Sequence, residues 1–284
     1  MHELVPIFRD CDRSWMTLAL AMVLPLTLLT AWRLQQLMPR AGQLRFGEAN
    51  RLILTASVLN LILPSKMGDI AKAWFMKERG HLAGSLAFAL VVFEKTCDML
   101  SLLLWCAFGL LLYPAKDALF WGVTAAVSVA FLFGLLLLGQ PRFAAFFFER
   151  VHLTRLSEAW REMHDYFWSS KSRLTSVALT SIFIWFLHLL QIWMFIRALK
   201  AYAPFLANLA LSPLAILAGL LPLTFAGIGT RDAALILFYR PYFDAPTAAA
   251  LGLLCTARYI LPALAGLPFV SMARENLPSR RGTN

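Results

Sequence analysis

The chain has 284 residues, of which 60% are apolar and only 15% are charged. Soluble domains usually contain about 45–50% apolar and about 25% charged residues, so a water-soluble fold of this length would lack the polar side chains to cover its surface. The composition excludes a soluble enzyme, a disordered chain and a nucleic-acid-binding module, although 26 Lys and Arg against 16 Asp and Glu give a net charge of +10. It predicts an all-α polytopic membrane protein.

Four apolar stretches are long enough to cross a bilayer, since a spanning helix needs about 20 mostly apolar residues. They are residues 14–32, 118–139, 174–196 and 245–273. A fifth stretch, residues 82–113, has the length of a span but contains Glu94, Lys95 and Asp98, and Arg258 interrupts the last of the four. Because a charge at the centre of an inserting helix costs about 2.5–3.5 kcal/mol, we expect these charges to have a partner or a function.

Two other apolar stretches are interrupted by Pro and Gly. The first, residues 52–65, ends near Pro64. The second, residues 201–230, contains Pro213, Pro222, Gly227 and Gly229. We interpret each as a re-entrant hairpin, because broken backbone at membrane depth survives only where protein or a water-filled cavity satisfies its polar groups. Two ordinary spans kinked by Pro and Gly are the alternative.

Each hairpin is followed by a helix with buried charge, which indicates an inverted repeat of a kind common in secondary transporters. Repeat unit one covers about residues 48–113 and repeat unit two about residues 204–272, within a single transmembrane domain of residues 1–284. The two broken hairpins are expected to meet in a polar cavity. Between the units, residues 141–171 are predicted to form an amphipathic interfacial connector, with an apolar face of Leu153, Leu156, Trp160, Met163 and Phe167.

The charges of unit one are predicted to form a buried network. Glu94 and Asp98 lie four residues apart on one helix face, where two carboxylates repel and require a cation. Lys95 can reach Asp98, and Arg258 from unit two is expected to be the second partner. A network that only fixes helix register and one that lines a water-accessible cavity both fit the sequence.

Both turns contain residues suited to binding an anion. The first has Gly68 and Asp69 with Lys66 and Lys72 at a helix start, where backbone N–H groups favour an anion. The second has the same ingredients in Gly227, Gly229, Arg231 and Asp232. Helix capping by the two aspartates is the simpler interpretation.

Other polar and reactive residues give weaker signals. His188 and Gln191 share one face of a clean span, where a helix–helix hydrogen bond is expected. The cysteines show no CxxC pair and are interpreted as small buried apolar residues: Cys11, Cys97, Cys106 and Cys255. We find no metal-binding spacing, P-loop or dinucleotide fingerprint in the sequence, so no metal or cofactor is predicted.

Basic segments set the expected orientation. Most Lys and Arg residues fall in residues 33–51, 66–79, 140–173 and the C-terminal tail. The positive-inside rule then places these segments, and the C-terminus, in the cytoplasm. The N-terminus would lie outside.

Several short motifs occur in the order found in a known family. They are residues 31–34 (AWRL), residues 60–64 (NLILP), Gly68 and Asp69 with Lys72, residues 93–98 (FEKTCD), residues 227–232 (GIGTRD) and Arg258. Over roughly residues 30–272 they resemble the lysylphosphatidylglycerol synthase transmembrane-region family, also called flippase-like. The family commonly has Glu and Arg where Asp69 and Lys72 stand, and Lys in place of Arg loses bidentate phosphate recognition.

The resemblance implies translocation, or flipping, of a lipid or lipid-linked head group across the bacterial cytoplasmic membrane, and a transporter instead of an enzyme. The implied partners are membrane lipids that are anionic, aminoacylated, glycosylated or polyprenyl-linked, with a lipid-modifying enzyme or a second copy of the chain as further partners and no nucleic acid. The implied head-group site comprises Arg33, Asn60, Lys66, Gly68, Asp69, Lys72, Glu94, Lys95, Asp98, Thr224, Gly227, Gly229, Arg231, Asp232 and Arg258.

Two alternatives remain open: a membrane-embedded transferase that acts on a lipid-linked substrate, and a non-catalytic membrane partner of a lipid-modifying enzyme. No soluble aminoacyl-transferase domain follows Asn284, so lipid synthesis is not expected. A first spanning helix usual in the family is missing, which fits an N-terminus outside the cell.

Overall fold

The computed structural model describes residues 4–39, 42–63, 68–112, 116, 118–150, 152–220 and 229–275. Within these residues the backbone forms thirteen α-helices and no strand, so the predicted all-α class is confirmed. In chain order they are α1 (Leu4–Arg9), α2 (Arg13–Ala21), α3 (Val23–Leu37), α4 (Phe46–Ile62), α5 (Gly68–Glu78), α6 (Gly84–Leu112), α7 (Ala118–Gly139), α8 (Pro141–Arg150), α9 (Thr154–Trp168), α10 (Lys171–Ala198), α11 (Phe205–Leu220), α12 (Thr230–Tyr239) and α13 (Ala245–Glu275).

The predicted clean spans are all found as helices. In the described part of the chain, four segments are long and apolar enough to cross a membrane: Arg13–Leu37, Phe120–Gly139, Lys171–Ala198 and Ala245–Val270. Helix α6 has 29 residues, which at about 1.5 Å per residue exceeds a hydrocarbon core about 30 Å thick. The chain is therefore a polytopic helical membrane protein.

The helices of the two predicted repeat units contact one another in a reciprocal way. Within unit one, α5 contacts α4 and α6; within unit two, α12 contacts α11 and α13. Across the units, α13 packs along α4 and α11 packs along α6. This exchange of partners is what a two-fold relation between the units would produce. The residues that join each hairpin, among them Pro64 and Pro222, lie outside the described residues, so the repeat and its inverted direction stay predictions.

Glycines allow the helices of different units to approach closely. A β-carbon at Gly109 of α6 would collide with the backbone of Ala210 in α11, and one at Gly266 of α13 would collide with the carbonyl of Leu54 in α4. Small residues at such crossings are how membrane helices gain close packing. Each contact between the units therefore depends on a glycine in a long helix that carries buried charge: Gly109 in α6 and Gly266 in α13.

The predicted amphipathic connector consists of two helices, α8 and α9, instead of one. Of the predicted apolar face, Leu153 is exposed, whereas Leu156, Trp160, Met163 and Phe167 are buried. The ring of Phe93 in α6 stacks on that of Phe167, with their centroids 4.5 Å apart, and lies 5.8 Å from Trp160. The apolar face of α9 thus packs against α6 at Phe93, the residue that precedes Glu94 in the sequence.

The two larger apolar cores lie along the long helices. The first includes Ala31 of α3, Phe93 of α6 and Val177 of α10. The second includes Leu102 of α6 and Leu189 of α10, together with much of α11 to α13. The charges of α6 lie between these cores, near the middle of the helix, which is the depth that a functional site inside a membrane would occupy.

Candidate functional site

A cavity of about 200 Å³ lies among α3, α4, α5, α6, α10 and α13. Its wall includes seven charged residues, namely Arg33, Asp69, Lys72, Glu94, Lys95, Asp98 and Arg258. Several of these lie near the middles of α6 and α13, helices long enough to span a membrane. A polar, charge-lined cavity is therefore present among the described residues, as predicted. The predicted meeting of the two hairpins in it is not seen there, since no described residue of α11 or α12 lines it.

Arg33 is the cation that holds Glu94 and Asp98 together. Its side chain is only 2% exposed; Nη2 donates to Glu94 Oε1 at 3.0 Å and to Asp98 Oδ2 at 3.2 Å, and Nη1 pairs with Asp98 Oδ1. Nη1 also donates to Ser181 Oγ at 3.1 Å. The forked guanidinium can bind two carboxylates at once, which a single ammonium does less well.

This arrangement corrects two predictions. Arg33 was expected in a basic loop but lies inside α3, where two carboxylates compensate its burial. Arg258 was expected to be the second partner of Glu94 and Asp98, yet no ion pair joins it to either carboxylate in the described structure. Arg33 takes that place because α3 packs beside α6.

Two lysines complete a closed ring of charges. Lys72 Nζ lies 2.6 Å from Glu94 Oε2 and 3.1 Å from Asp69 Oδ1. Lys95 Nζ lies 2.9 Å from Asp69 Oδ2 and 3.3 Å from Asp98 Oδ2, as its spacing from Asp98 predicts. Each carboxylate therefore contacts two cations and each cation two carboxylates. We call these residues the charge ring: Arg33, Glu94, Lys72, Asp69, Lys95 and Asp98.

The charge ring is electrically balanced and mostly buried. Its three cations and three carboxylates give a net charge of zero. The side chain of Lys95, at 43%, is the most exposed of the six. Removing one partner of a buried pair costs about 3–5 kcal/mol, because it leaves an uncompensated charge. The six side chains of the ring therefore stabilise one another, and the loss of any one of them should destabilise the fold.

Arg258 contributes an unbalanced charge to the same cavity. Its residue is 3% exposed, and its guanidinium donates to Gln191 Oε1 at 3.2 Å, Tyr259 Oη at 2.9 Å and the His188 carbonyl at 3.5 Å. All three acceptors are formally neutral. Its Nε is buried without a hydrogen-bond partner among the described residues.

Gln191 makes the predicted helix–helix hydrogen bond, and more. Its Nε2 donates to the carbonyl of Ala19 in α2 at 2.8 Å, while its Oε1 holds Arg258 of α13. Gln191 and His188 both line the cavity, as do Trp185 and Thr256. Sequence reasoning did not place these four in the site, although the three-residue steps of Trp185, His188 and Gln191 along an otherwise apolar span were a usable signal.

The described residues of the second turn do not line the cavity. Gly229, Arg231 and Asp232 are not among the residues that line it. Arg231 is buried and bonds Asp232 Oδ1 and Thr256 Oγ1, both at 2.7 Å. Asp232 Oδ2 accepts from the backbone N–H of Gly229 at 3.1 Å, so it caps α12 as the simpler interpretation predicted.

The first turn behaves differently. Asp69 is in the charge ring, where its carboxylate pairs with Lys72 and Lys95. A β-carbon at Gly68 would lie 2.5 Å from the backbone nitrogen of Asn60, so glycine allows α5 to sit against α4. Asn60 lines the cavity, and its Oδ1 is buried without a partner among the described residues. Three other predicted site residues, Lys66, Thr224 and Gly227, lie outside the described residues.

Comparison with known protein families assigns the chain to one of them. The family model described as the lysylphosphatidylglycerol synthase TM region matches residues 1–266, so the chain belongs to this family, as its motifs indicated. A comparison with curated proteins gives no match. Membership indicates a membrane protein involved in lipid modification or translocation.

Proposed function

We propose that this member of the lysylphosphatidylglycerol synthase TM region family flips a lipid or lipid-linked head group across the bacterial cytoplasmic membrane. The observation that carries the proposal is the cavity lined by the balanced charge ring, within helices long enough to span a bilayer. Its partners would be membrane lipids. The protein would act as a transporter, and the basic segments would orient it with its C-terminus in the cytoplasm.

The chemistry of the cavity wall suits a polar head group. A charged group in the bilayer centre is costly unless protein groups replace its water. The charge ring offers ammonium and guanidinium donors beside carboxylate acceptors without adding a net charge, so a head group could exchange contacts with it as it passes. Acyl chains would remain in the bilayer, where no such replacement is needed.

The reciprocal contacts between the units support an alternating mechanism. Because α13 packs along α4 and α11 along α6, a movement of one hairpin unit relative to the other would alter both contacts together. In this proposal the two hairpins gate opposite faces of the membrane. We find no ATP-binding motif in the sequence, so coupling would be to a gradient or absent.

Blocking the cavity tests whether it is the path. Ser57 of α4 lines the cavity and donates its hydroxyl only within its own helix, to the carbonyl of Ile53 at 2.9 Å. Ser57→Phe should therefore fill the cavity at little cost to the hydrogen bonds of the fold. Ser128→Phe is the matched control, since Ser128 is exposed on α7 and donates in the same way to Thr124 at 2.8 Å.

The assay is dithionite quenching of fluorescent lipids in proteoliposomes that contain the wild type or either variant. Expected is protein-dependent flipping that Ser57→Phe abolishes and Ser128→Phe preserves. Equal flipping by both variants would overturn the proposal, as would a wild type that flips no head group tested. Chemical conversion of the lipid, read by mass spectrometry of the same vesicles, would favour the membrane-embedded transferase instead.

A further inference from the structure

The cavity carries an excess positive charge. The three cations and three carboxylates of the charge ring cancel, and Arg258 adds one positive charge with only neutral hydrogen-bond partners. The undescribed residues that join the hairpins cannot reverse this sign. Residues 64–67 contain one ionisable side chain, that of Lys66, and residues 221–228 contain none.

Arg258 also has donors to spare. A guanidinium has five N–H groups. Its hydrogen bonds use Gln191 Oε1, the His188 carbonyl and Tyr259 Oη, and Nε is buried without an acceptor among the described residues. Nε and the neighbouring Nη2 can together present two parallel N–H groups, the geometry that binds a carboxylate or phosphate bidentately. The Nε of Arg33 is likewise buried without a partner among the described residues, but Arg33 differs because Glu94 and Asp98 already compensate its charge.

We propose that Arg258, oriented by Gln191, makes the cavity selective for a head group with a net negative charge, bound through a phosphate-type oxyanion. This inference rests on the proposed function in taking the cavity as the head-group site. It deepens that function by naming an anionic phospholipid as the substrate class. A head group with a net positive charge would meet a positive cavity and is disfavoured.

Gln191 is the positioning residue in this arrangement. Its amide is fixed at both ends, by Ala19 of α2 and by Arg258 of α13. The amide oxygen orients the guanidinium but does not neutralise it. Gln191→Glu supplies, in nearly the same volume, the carboxylate that Arg258 lacks, so it should remove the charge selectivity. It also loses the hydrogen bond that the amide donates to the Ala19 carbonyl, which is why its stability is measured beside its binding.

The experiment measures binding of fluorescent lipids to the purified full-length protein in detergent, independently of flipping. The probes are phosphatidylglycerol, a neutral galactosyl diacylglycerol and lysyl-phosphatidylglycerol, which carries a net positive head group. Expected is a preference of the wild type for phosphatidylglycerol of about 10- to 100-fold, the range that charge-assisted hydrogen bonds supply.

Two variants should lose that preference by different routes. Arg258→Gln removes the charge and Gln191→Glu neutralises it, so each variant should bind phosphatidylglycerol about as weakly as it binds the galactolipid. Arg258→Lys should retain part of the preference because it keeps the charge but not the fork. Arg240→Gln, at an exposed position after α12, is the control and should bind like the wild type.

The outcomes separate this inference from the proposed function. A wild type that prefers lysyl-phosphatidylglycerol, or Arg258→Gln and Gln191→Glu variants that keep the preference for phosphatidylglycerol, would overturn the inference even if flipping is observed. Binding that follows the expected pattern without any flipping would support the inference and reject the function. Inorganic phosphate is a separate competitor; if it binds as tightly as the lipid, the site serves a free anion and the inference fails. Thermal stability of Gln191→Glu equal to wild type excludes misfolding as the cause.

Discussion

The two hairpin units use similar residues to different ends. Unit one places five ionisable side chains of α5 and α6 in the charge ring. All five line the cavity: Asp69, Lys72, Glu94, Lys95 and Asp98. Unit two contributes Arg258 to the cavity, while its pair Arg231 and Asp232 stays outside the lining.

Unit two instead buries a neutral polar network. Tyr239 Oη donates to Asn208 Oδ1 at 3.0 Å, Ser212 Oγ donates to the same oxygen at 2.9 Å, and Asn208 Nδ2 donates to the Leu189 carbonyl at 2.9 Å. This network ties α10, α11 and α12 together without charge. The comparison teaches that the two units divide the work: unit one supplies a charged wall, and unit two supplies a largely neutral frame from which Arg258 reaches the cavity.

Glu94→Gln should reveal how much the charge ring depends on each member. The change leaves Arg33 and Lys72 without a shared carboxylate, so we expect the free energy of unfolding to fall by about 3–5 kcal/mol. The measurement is reversible unfolding in mixed micelles with a denaturing detergent. Glu149→Gln is the control, because its pair with Arg161 in the connector is half-exposed and should contribute little. Equal effects of the two changes would contradict a buried ring.

The contacts between the units are tested by adding a methyl group at each glycine. Gly109→Ala and Gly266→Ala force a β-carbon into the backbone of the other unit, so each should lower the free energy of unfolding by about 1–3 kcal/mol. If the units are related by a two-fold axis, the two losses should be similar. Gly122→Ala is the control, since nothing lies within 4 Å of its added β-carbon and alanine favours a helix. A loss at only one crossing would argue against the two-fold relation.

Hydropathy predicted the spans because the bilayer acts on each segment separately. Residues 174–196 had to be a helix in any arrangement, and α10 confirms it. The pairing of Lys95 with Asp98 was likewise predictable, since it lies within one helix. The apolar face of the connector was recognised too, but its contact with Phe93 was not, because periodicity shows that a face is apolar and not what covers it.

The missed features depend on how distant helices meet. Arg33 is part of the charge ring because α3 lies beside α6. No local sequence pattern shows that these two helices, distant in the chain, are neighbours. The two turns look alike in sequence, yet Asp69 faces the cavity and Asp232 caps α12, because the packing of α5 and α12 decides where each carboxylate lies. Gln191 was expected to form one hydrogen bond, whereas its second, to Arg258, requires α10 and α13 to be neighbours.

Tyr239→Phe tests the neutral network of unit two. The change removes one hydroxyl, while Asn208 and Ser212 remain bonded to each other, so we expect a loss of about 1 kcal/mol in the free energy of unfolding. Flipping should be unchanged, because these residues lie outside the cavity wall. Tyr202→Phe, at an exposed position, is the control for removing a tyrosine hydroxyl. A loss as large as that of Glu94→Gln would remove the contrast between a charged wall and a neutral frame.

The comparison of Asp232→Asn with Asp69→Asn is the most direct test of how the units differ. The carboxamide oxygen that Asp232→Asn introduces can still accept from the Gly229 N–H. Buried Arg231 loses the carboxylate that it pairs with but keeps its bonds to the Gly252 carbonyl and Thr256, so we expect a loss of about 1–3 kcal/mol in the free energy of unfolding and unchanged flipping. Asp69→Asn, in contrast, leaves Lys72 and Lys95 with one carboxylate each, and should reduce flipping as well as stability. Dithionite quenching and unfolding measured on both variants separate a cap from a cavity residue. Reduced flipping in Asp232→Asn with normal stability would mean that the second turn acts on the head group, and the two units would then share the work instead of dividing it.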